Sequence, residues 1–256
     1  MEANHYPEEK EKAPLNLKTV ILIVSFVVNI VSASFVCVIF LENRSLTSEV
    51  AHYKNLSEFY YSLAKSEGTV NSSIKIVGVR EKDPYEGVVM VAKIELRIGE
   101  GIPYVGTQPA KIGTVLQESL ETAIIVAKNT LRLPLKDVDV LLTIKSEEEI
   151  DIVDGPSAGA AITVALMAAI QNQIINNNVY ITGEINSDGT IGRVGRLLKK
   201  ALAAAENGAK EFLVPPGQSK VNGIRIEEYL SQRGYSTVVI EVSTIRHAYQ
   251  RFTRSS

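Results

Sequence analysis

The chain has 256 residues, a net charge of −2 and an isoelectric point near 6.0, which suits one medium domain with appendages and excludes the basic footprint of a nucleic-acid-binding protein. Its one cysteine, Cys37, rules out a disulfide framework and a cysteine-based metal site. No metal, nucleotide or other cofactor is expected.

Residues 1–18 are charged and contain Pro7 and Pro14, and they read as a polar disordered tail. Thr19 to Leu41 is an uncharged run of 23 residues between Lys18 and Glu42. As a helix it is long enough to cross a bilayer core of roughly 30 Å. A cleavable signal peptide is the alternative, because Val31-Ser32-Ala33 has the small-residue character of a cleavage site. The apolar run continues through Phe40 and Leu41 past that point, which favours a single-pass anchor over residues 19–41. Lys10, Lys12 and Lys18 precede the span and Arg44 and Lys54 follow it. This excess leans toward an inside N-terminus and an extracytoplasmic body.

Residues 42–73 form a predicted stalk and linker. Leu46, Val50, Tyr53, Tyr60 and Leu63 recur at spacings near a heptad seam. A solvated stalk helix and a short coiled coil both fit, and Ser66 to Ser73 reads as a hinge. The globular domain is expected over 74–256, with a mixed α/β (α+β) pattern. Val88 to Ile98 alternates as a strand, Thr114 to Leu131 has helical spacing, and Val138 to Ile144 is a buried strand. A helix over Pro156 to Gln171, a strand over Val179 to Thr182 and a helix over Leu197 to Ala205 follow. Strands over Glu211 to Val214 and Thr237 to Val242 then lead to a last helix opened by Ser243.

The means of activating a nucleophile are few. Of three histidines, His5 is in the tail, His52 lies just past the apolar run, and His247 is near the C-terminus. A histidine-based triad would therefore rest on His247 alone. The segment Asp154-Gly155-Pro156-Ser157-Ala158-Gly159 offers a serine at a predicted helix start. Proline suits the first helical position, and unpaired N–H groups there are suited to holding an oxyanion. Lys200 follows 43 residues later on the helix after Gly195, beside Leu197, Ala203 and Ala204. Apolar surroundings favour a neutral amine, which is what a general base requires. Taken singly, the serine segment also reads as a helix cap, and Lys200 as a surface lysine that snorkels.

Jointly, these residues carry a family likeness. From Gly87 to Phe252 the chain resembles the proteolytic domain of Lon-type ATP-dependent proteases. The resemblance rests on Asp154-Gly155-Pro156-Ser157-Ala158-Gly159, Thr182-Gly183-Glu184-Ile185 and Lys200-Ala201-Leu202-Ala203-Ala204, with Gln117-Glu118-Ser119 in an early helix. It implies that fold, with Ser157 as nucleophile and Lys200 as base. Thr182 is implied to orient the lysine, and Asp154 and Gly155 to support the dyad. Asp154 either pairs with the lysine or shapes the turn, while Glu184 has no derivable role. The resemblance also implies ring-like self-assembly, commonly hexameric.

Two departures matter. Gly195-Arg196 stands where the family shows paired glycines, and no Gly-x-x-x-x-Gly-Lys-[Ser/Thr] phosphate loop occurs in the sequence. The expectation is a membrane-anchored, ATP-independent serine endopeptidase acting on unfolded or extended polypeptides. A non-catalytic assembly or peptide-binding module on the same fold, or a dedicated processing protease for one partner, are the rival expectations.

Overall fold

A computed structural model of the chain describes residues 16–66, 68–80, 86–108, 111–147, 152–153 and 155–254. The chain divides into two units, one ending at Tyr53 and a compact one from Lys54 to Ser256. The helix α1 (Leu17–Lys65) contributes to both. In the first unit its apolar side chains are exposed, Leu22 by 73%. Among the described residues, α1 is the one helix long and apolar enough to cross a membrane.

The compact unit continues with β1 (Thr69–Val79), β2 (Gly87–Ile98), β3 (Pro103–Gln108), β4 (Lys111–Ile112), α2 (Thr114–Leu131), β5 (Val138–Lys145) and β6 (Ile152–Val153). A 3-10 turn, Pro156–Ala158, leads into α3 (Gly159–Ile170). Then come β7 (Val179–Ile181), β8 (Glu184–Ile185), β9 (Ile191–Gly192) and α4 (Leu197–Glu206). The chain finishes with β10 (Glu211–Val214), β11 (Lys220–Val221), β12 (Ile224–Arg225), α5 (Ile226–Ser231), β13 (Val238–Glu241) and α6 (Ile245–Thr253).

Two sheets organise these elements. The first has the order β1-β2-β5-β3, antiparallel except for the β3–β5 pair. Its strands obey the twofold side-chain period: Val88, Met90, Ala92, Ile94 and Leu96 of β2 all face the core. The second, β13-β10-β7, is parallel. All twelve residues of α3 are buried, as its apolar composition requires, and Thr163 satisfies its hydroxyl on the Gly159 carbonyl at 2.8 Å. The main core joins the first sheet to α2, α3 and α6, and a second cluster packs α4 and α5 on Tyr180, Phe212 and Val214.

The structure moves several predicted boundaries. The segment predicted as a hinge holds the first residues of β1, whose Asn71, Ser72 and Ser73 look like linker in sequence but pair with Glu95, Ile94 and Lys93 of β2. The compact unit thus begins at Lys54 rather than residue 74. Of the predicted heptad seam, Leu46, Val50 and Tyr53 are exposed, whereas Leu63 is fully buried in the domain core. The last helix is opened by Thr244, not Ser243, with Thr244 Oγ1 accepting from the His247 N–H. The tail 1–18 lies outside the described residues up to residue 15.

One close approach sets the position of α4. A Cβ added at Gly87 on β2 would meet the Lys199 carbonyl oxygen at 2.2 Å and Ala203 Cβ at 2.8 Å. Because the nearest of these atoms is helix backbone, a side chain there must push α4 off the sheet. Gly87→Val is expected to destabilise the domain by about 1–3 kcal/mol and to lower activity by displacing Lys200. Urea unfolding and activity assays check this, and a variant equal to wild type in both would refute the packing role.

Candidate active site

Three loop-to-element junctions converge on one depression of about 550 Å³, whose lining includes Gly78, Gly155, Ser157, Arg193, Arg196 and Lys200. Ser157 comes from the 3-10 turn. Gly155, just before it, has φ 106° and ψ 154°, a region that essentially only glycine occupies. It precedes the turn that carries Ser157, which leads directly into α3. Asp154 lies outside the described residues.

The helix start differs from the predicted one. Ser157 sits in the 3-10 turn, and α3 begins only at Gly159. Two N–H groups here are already used: Gly159 donates to the Pro156 carbonyl and Ala160 to the Gly183 carbonyl at 3.1 Å. The α-helix was predicted to run unbroken from Pro156. The competing demand is the link after β7, which crosses at this point and takes up the backbone groups of the turn.

That link ties the serine to the lysine. The Ser157 carbonyl accepts from the Gly183 N–H at 3.0 Å and from Thr182 Oγ1 at 3.3 Å. The same Thr182 hydroxyl accepts a hydrogen bond from Lys200 Nζ at 3.3 Å. With one proton to donate and lone pairs to accept, Thr182 is fixed as a bridge between the turn and the ammonium. It is fully buried, and its own N–H is held by the Leu213 carbonyl on β10.

Lys200 is 5% exposed because the face of α4 that carries it also carries Leu197, Ala201 and Ala204 into the second core cluster. Burial, with the nearby Arg196 guanidinium second, lowers its pKa from 10.5 to about 8. Desolvation penalises the charged amine, and a second cation adds to that penalty. The neutral amine is therefore more accessible near neutral pH than for an ordinary lysine, although the ammonium still predominates at pH 7.

The structure thus brings Ser157, Lys200, Thr182 and Gly155 together. Glu184 is not part of the pocket lining: it pairs with Gly192 in the β8–β9 ladder, with its side chain against that glycine. Gly78 and Val79 at the end of β1 also line the pocket. Sequence reading missed them, although the alternation of buried Ile74 and Ile76 along β1 was available as a signal. Among the described residues no group of three His, Cys, Asp or Glu side chains is arranged to hold a metal ion.

A mixed α/β domain with a serine and a buried lysine on one pocket defines a class, and comparison with known proteins narrows it. Residues 84–230, more than half of the chain, match the family model of the Lon protease (S16) C-terminal proteolytic domain. The chain belongs to this family. The Lon protease of Buchnera aphidicola subsp. Acyrthosiphon pisum is 30% identical over 186 residues, covering 68% of this chain and 23% of that protein. That of Neorickettsia sennetsu is 30% identical over 169 residues, covering 64% of this chain and 18% of the relative. The Mycoplasma mycoides Lon protease is 34% identical over 113 residues, 43% of this chain and 14% of its own length. The chain therefore spans about a quarter or less of these relatives.

Proposed function

We propose that this chain is a membrane-anchored serine endopeptidase that hydrolyses unfolded or extended polypeptides without nucleotide. Ser157 is the nucleophile and Lys200 the general base. The observation that carries the reading is the buried Lys200, held by Thr182 on the pocket that Ser157 lines.

In the neutral form, Lys200 Nζ takes the Ser157 Oγ proton as the oxygen attacks the scissile carbonyl carbon. The tetrahedral oxyanion collapses, the C–N bond breaks, and Lys200 returns the proton to the leaving amine. Water then attacks the Ser157 ester, Lys200 acting again as base, and the carboxylic acid and free serine are released. Thr182 holds the amine through each proton transfer, and Gly155 holds the turn.

Several features support the wider reading. The apolar stretch of α1 carries exposed Leu, Ile, Val and Phe side chains, as a lipid-facing helix requires. The lysines before it favour a cytoplasmic N-terminus and an extracytoplasmic protease domain. No Gly-Lys dipeptide of a phosphate loop occurs in the 256 residues, and the pocket lies wholly within the unit from Lys54 onward. Leu46, Val50 and Tyr53 remain exposed at heptad spacing, which suits self-association of the stalk in a ring such as a hexamer.

The test uses the full chain in detergent micelles, an unfolded protein substrate and no nucleotide. Cleavage that Ser157→Ala abolishes supports the reading. A folded wild-type chain that leaves a panel of unfolded proteins intact would refute general proteolysis, and unchanged activity in Ser157→Ala would refute the nucleophile.

A further inference from the structure

We infer that Gln218 is a positioning residue for the substrate: its side-chain amide clamps the backbone of Val194 and so fixes the pocket wall at residues 193–195. The inference rests on the reading of the pocket as a Ser157–Lys200 peptidase site.

This wall lies between two regular elements. β9 ends at Gly192 and α4 begins at Leu197, so residues 193–195 have neither a ladder nor a helix to pair their backbone groups. Arg193, Val194 and Gly195 nevertheless line the pocket together with Ser157. A partly buried backbone at such a place needs partners from elsewhere in the fold.

Gln218 supplies them. The Val194 N–H donates to Gln218 Oε1 at 3.0 Å, and Gln218 Nε2 donates to the Val194 carbonyl at 2.8 Å. A primary amide carries both an acceptor oxygen and a donor nitrogen. It therefore meets both backbone groups of one residue, as a paired residue on a neighbouring strand would. The two demands also fix which way the amide faces, because a flipped amide would set donor against donor and acceptor against acceptor. Gln218 is 7% exposed, an unusual burial for glutamine, and little water is at hand to replace either bond.

The loop that carries Gln218 is itself tied down. It leaves β10 through Pro215 and Pro216, neither of which can donate to a ladder. Glu241 at the end of β13 accepts from the Gly217 and Ser219 N–H groups, both at 2.9 Å. Arg193 Nη1 donates to the Pro216 carbonyl at 3.5 Å. Among the described residues, the hydrogen bonds of 193–195 all lead to this one loop. Lys200 is held separately, by Thr182 and by the packing of α4 in the second core cluster. The clamp thus acts on how the peptide is seated and not on proton transfer.

The experiment measures kcat and KM for a fluorogenic peptide that wild type cleaves, with the full chain in detergent micelles. Active sites are counted with a serine-reactive acylating probe, so that a misfolded fraction does not enter kcat. Gln218→Met keeps the side-chain length and removes both bonds, and Gln218→Asn withdraws the amide by one methylene. Each is expected to raise KM roughly five- to tenfold, with kcat per active site held within about twofold. Thr237→Val is the control for a purely structural loss. It removes another buried hydrogen bond, from Thr237 Oγ1 to the Ala209 carbonyl at 2.7 Å, at a residue outside the pocket lining. It should lower Tm and leave KM unchanged. A KM within about twofold of wild type in both Gln218 variants, or an equal rise in Thr237→Val, overturns the inference. The peptidase reading stands in that case if Ser157→Ala still abolishes cleavage. Cleavage that survives Ser157→Ala would instead overturn that reading, and the inference with it.

Discussion

Lys200→Met is expected to abolish peptide hydrolysis and, at the same time, to make the protein more stable at pH 7. Methionine matches the lysine stem in length and is at home among Leu197, Ala201 and Ala204, but it can take no proton from Ser157. Removing one member of a nucleophile–base pair lowers kcat/KM by about a thousandfold or more. The stability gain follows from proton linkage. Lys200 has a folded-state pKa of about 8 against 10.5, so the unfolded chain binds the proton more tightly. Below pH 8 the wild-type fold carries the full penalty of a buried ammonium. The penalty falls as pH rises through about 8 and is gone above 10.5. Relief of it is on the order of 1–3 kcal/mol, less what the lost Thr182 hydrogen bond contributed. Calorimetry of both proteins at several pH values checks the sign: the gain in Tm shrinks as pH rises. A variant less stable than wild type at pH 7 would mean that the ammonium is well solvated or paired.

The second large effect concerns the end of α1. Leu63 is fully buried and Phe59 2% exposed, both within the main core of the protease domain. Leu63→Ala is expected to destabilise the domain by roughly 2–5 kcal/mol and Phe59→Ala by roughly 3–5 kcal/mol, from lost transfer energy plus the cavity left behind. Leu46→Ala and Val50→Ala, on exposed positions of the same helix, should leave it within about 0.5 kcal/mol. The chain has ten tyrosines and no tryptophan, so urea unfolding is followed by tyrosine fluorescence. Equal midpoints for Leu63→Ala and Leu46→Ala would show that this turn is stalk and not domain.

Legibility in the sequence followed physical locality. The stripe on α2 and the alternation on β2 and β5 were readable because their periods are set by one buried face, and those elements stand where they were predicted. The 23-residue apolar run was readable from length alone. Leu63 was not: its spacing fits a helical seam equally well whether its neighbour is another stalk or the domain's own core, and only tertiary packing distinguishes them. β1 was hidden because Asn71, Ser72 and Ser73 have turn chemistry, and the eleven-residue ladder with β2 overrides it. Ser157 and Lys200 could be nominated by residue type and family likeness. Their joining through Thr182 could not be, since it depends on the β7–β8 link crossing the 3-10 turn. Arg196 stood out in sequence as a departure from paired glycines. Its left-handed φ explains why glycine fits that position.

The most direct measurement of the central claim is covalent trapping of the nucleophile. The full chain in detergent micelles is treated with a peptidyl β-lactone, whose strained ring opens on acylation and leaves its whole mass as an ester on the attacking hydroxyl. Peptide mapping by mass spectrometry is expected to find that adduct on Ser157 in wild type, and none there in Lys200→Met. An adduct on another hydroxyl, or one on Ser157 that forms at the same rate without Lys200, would contradict the account.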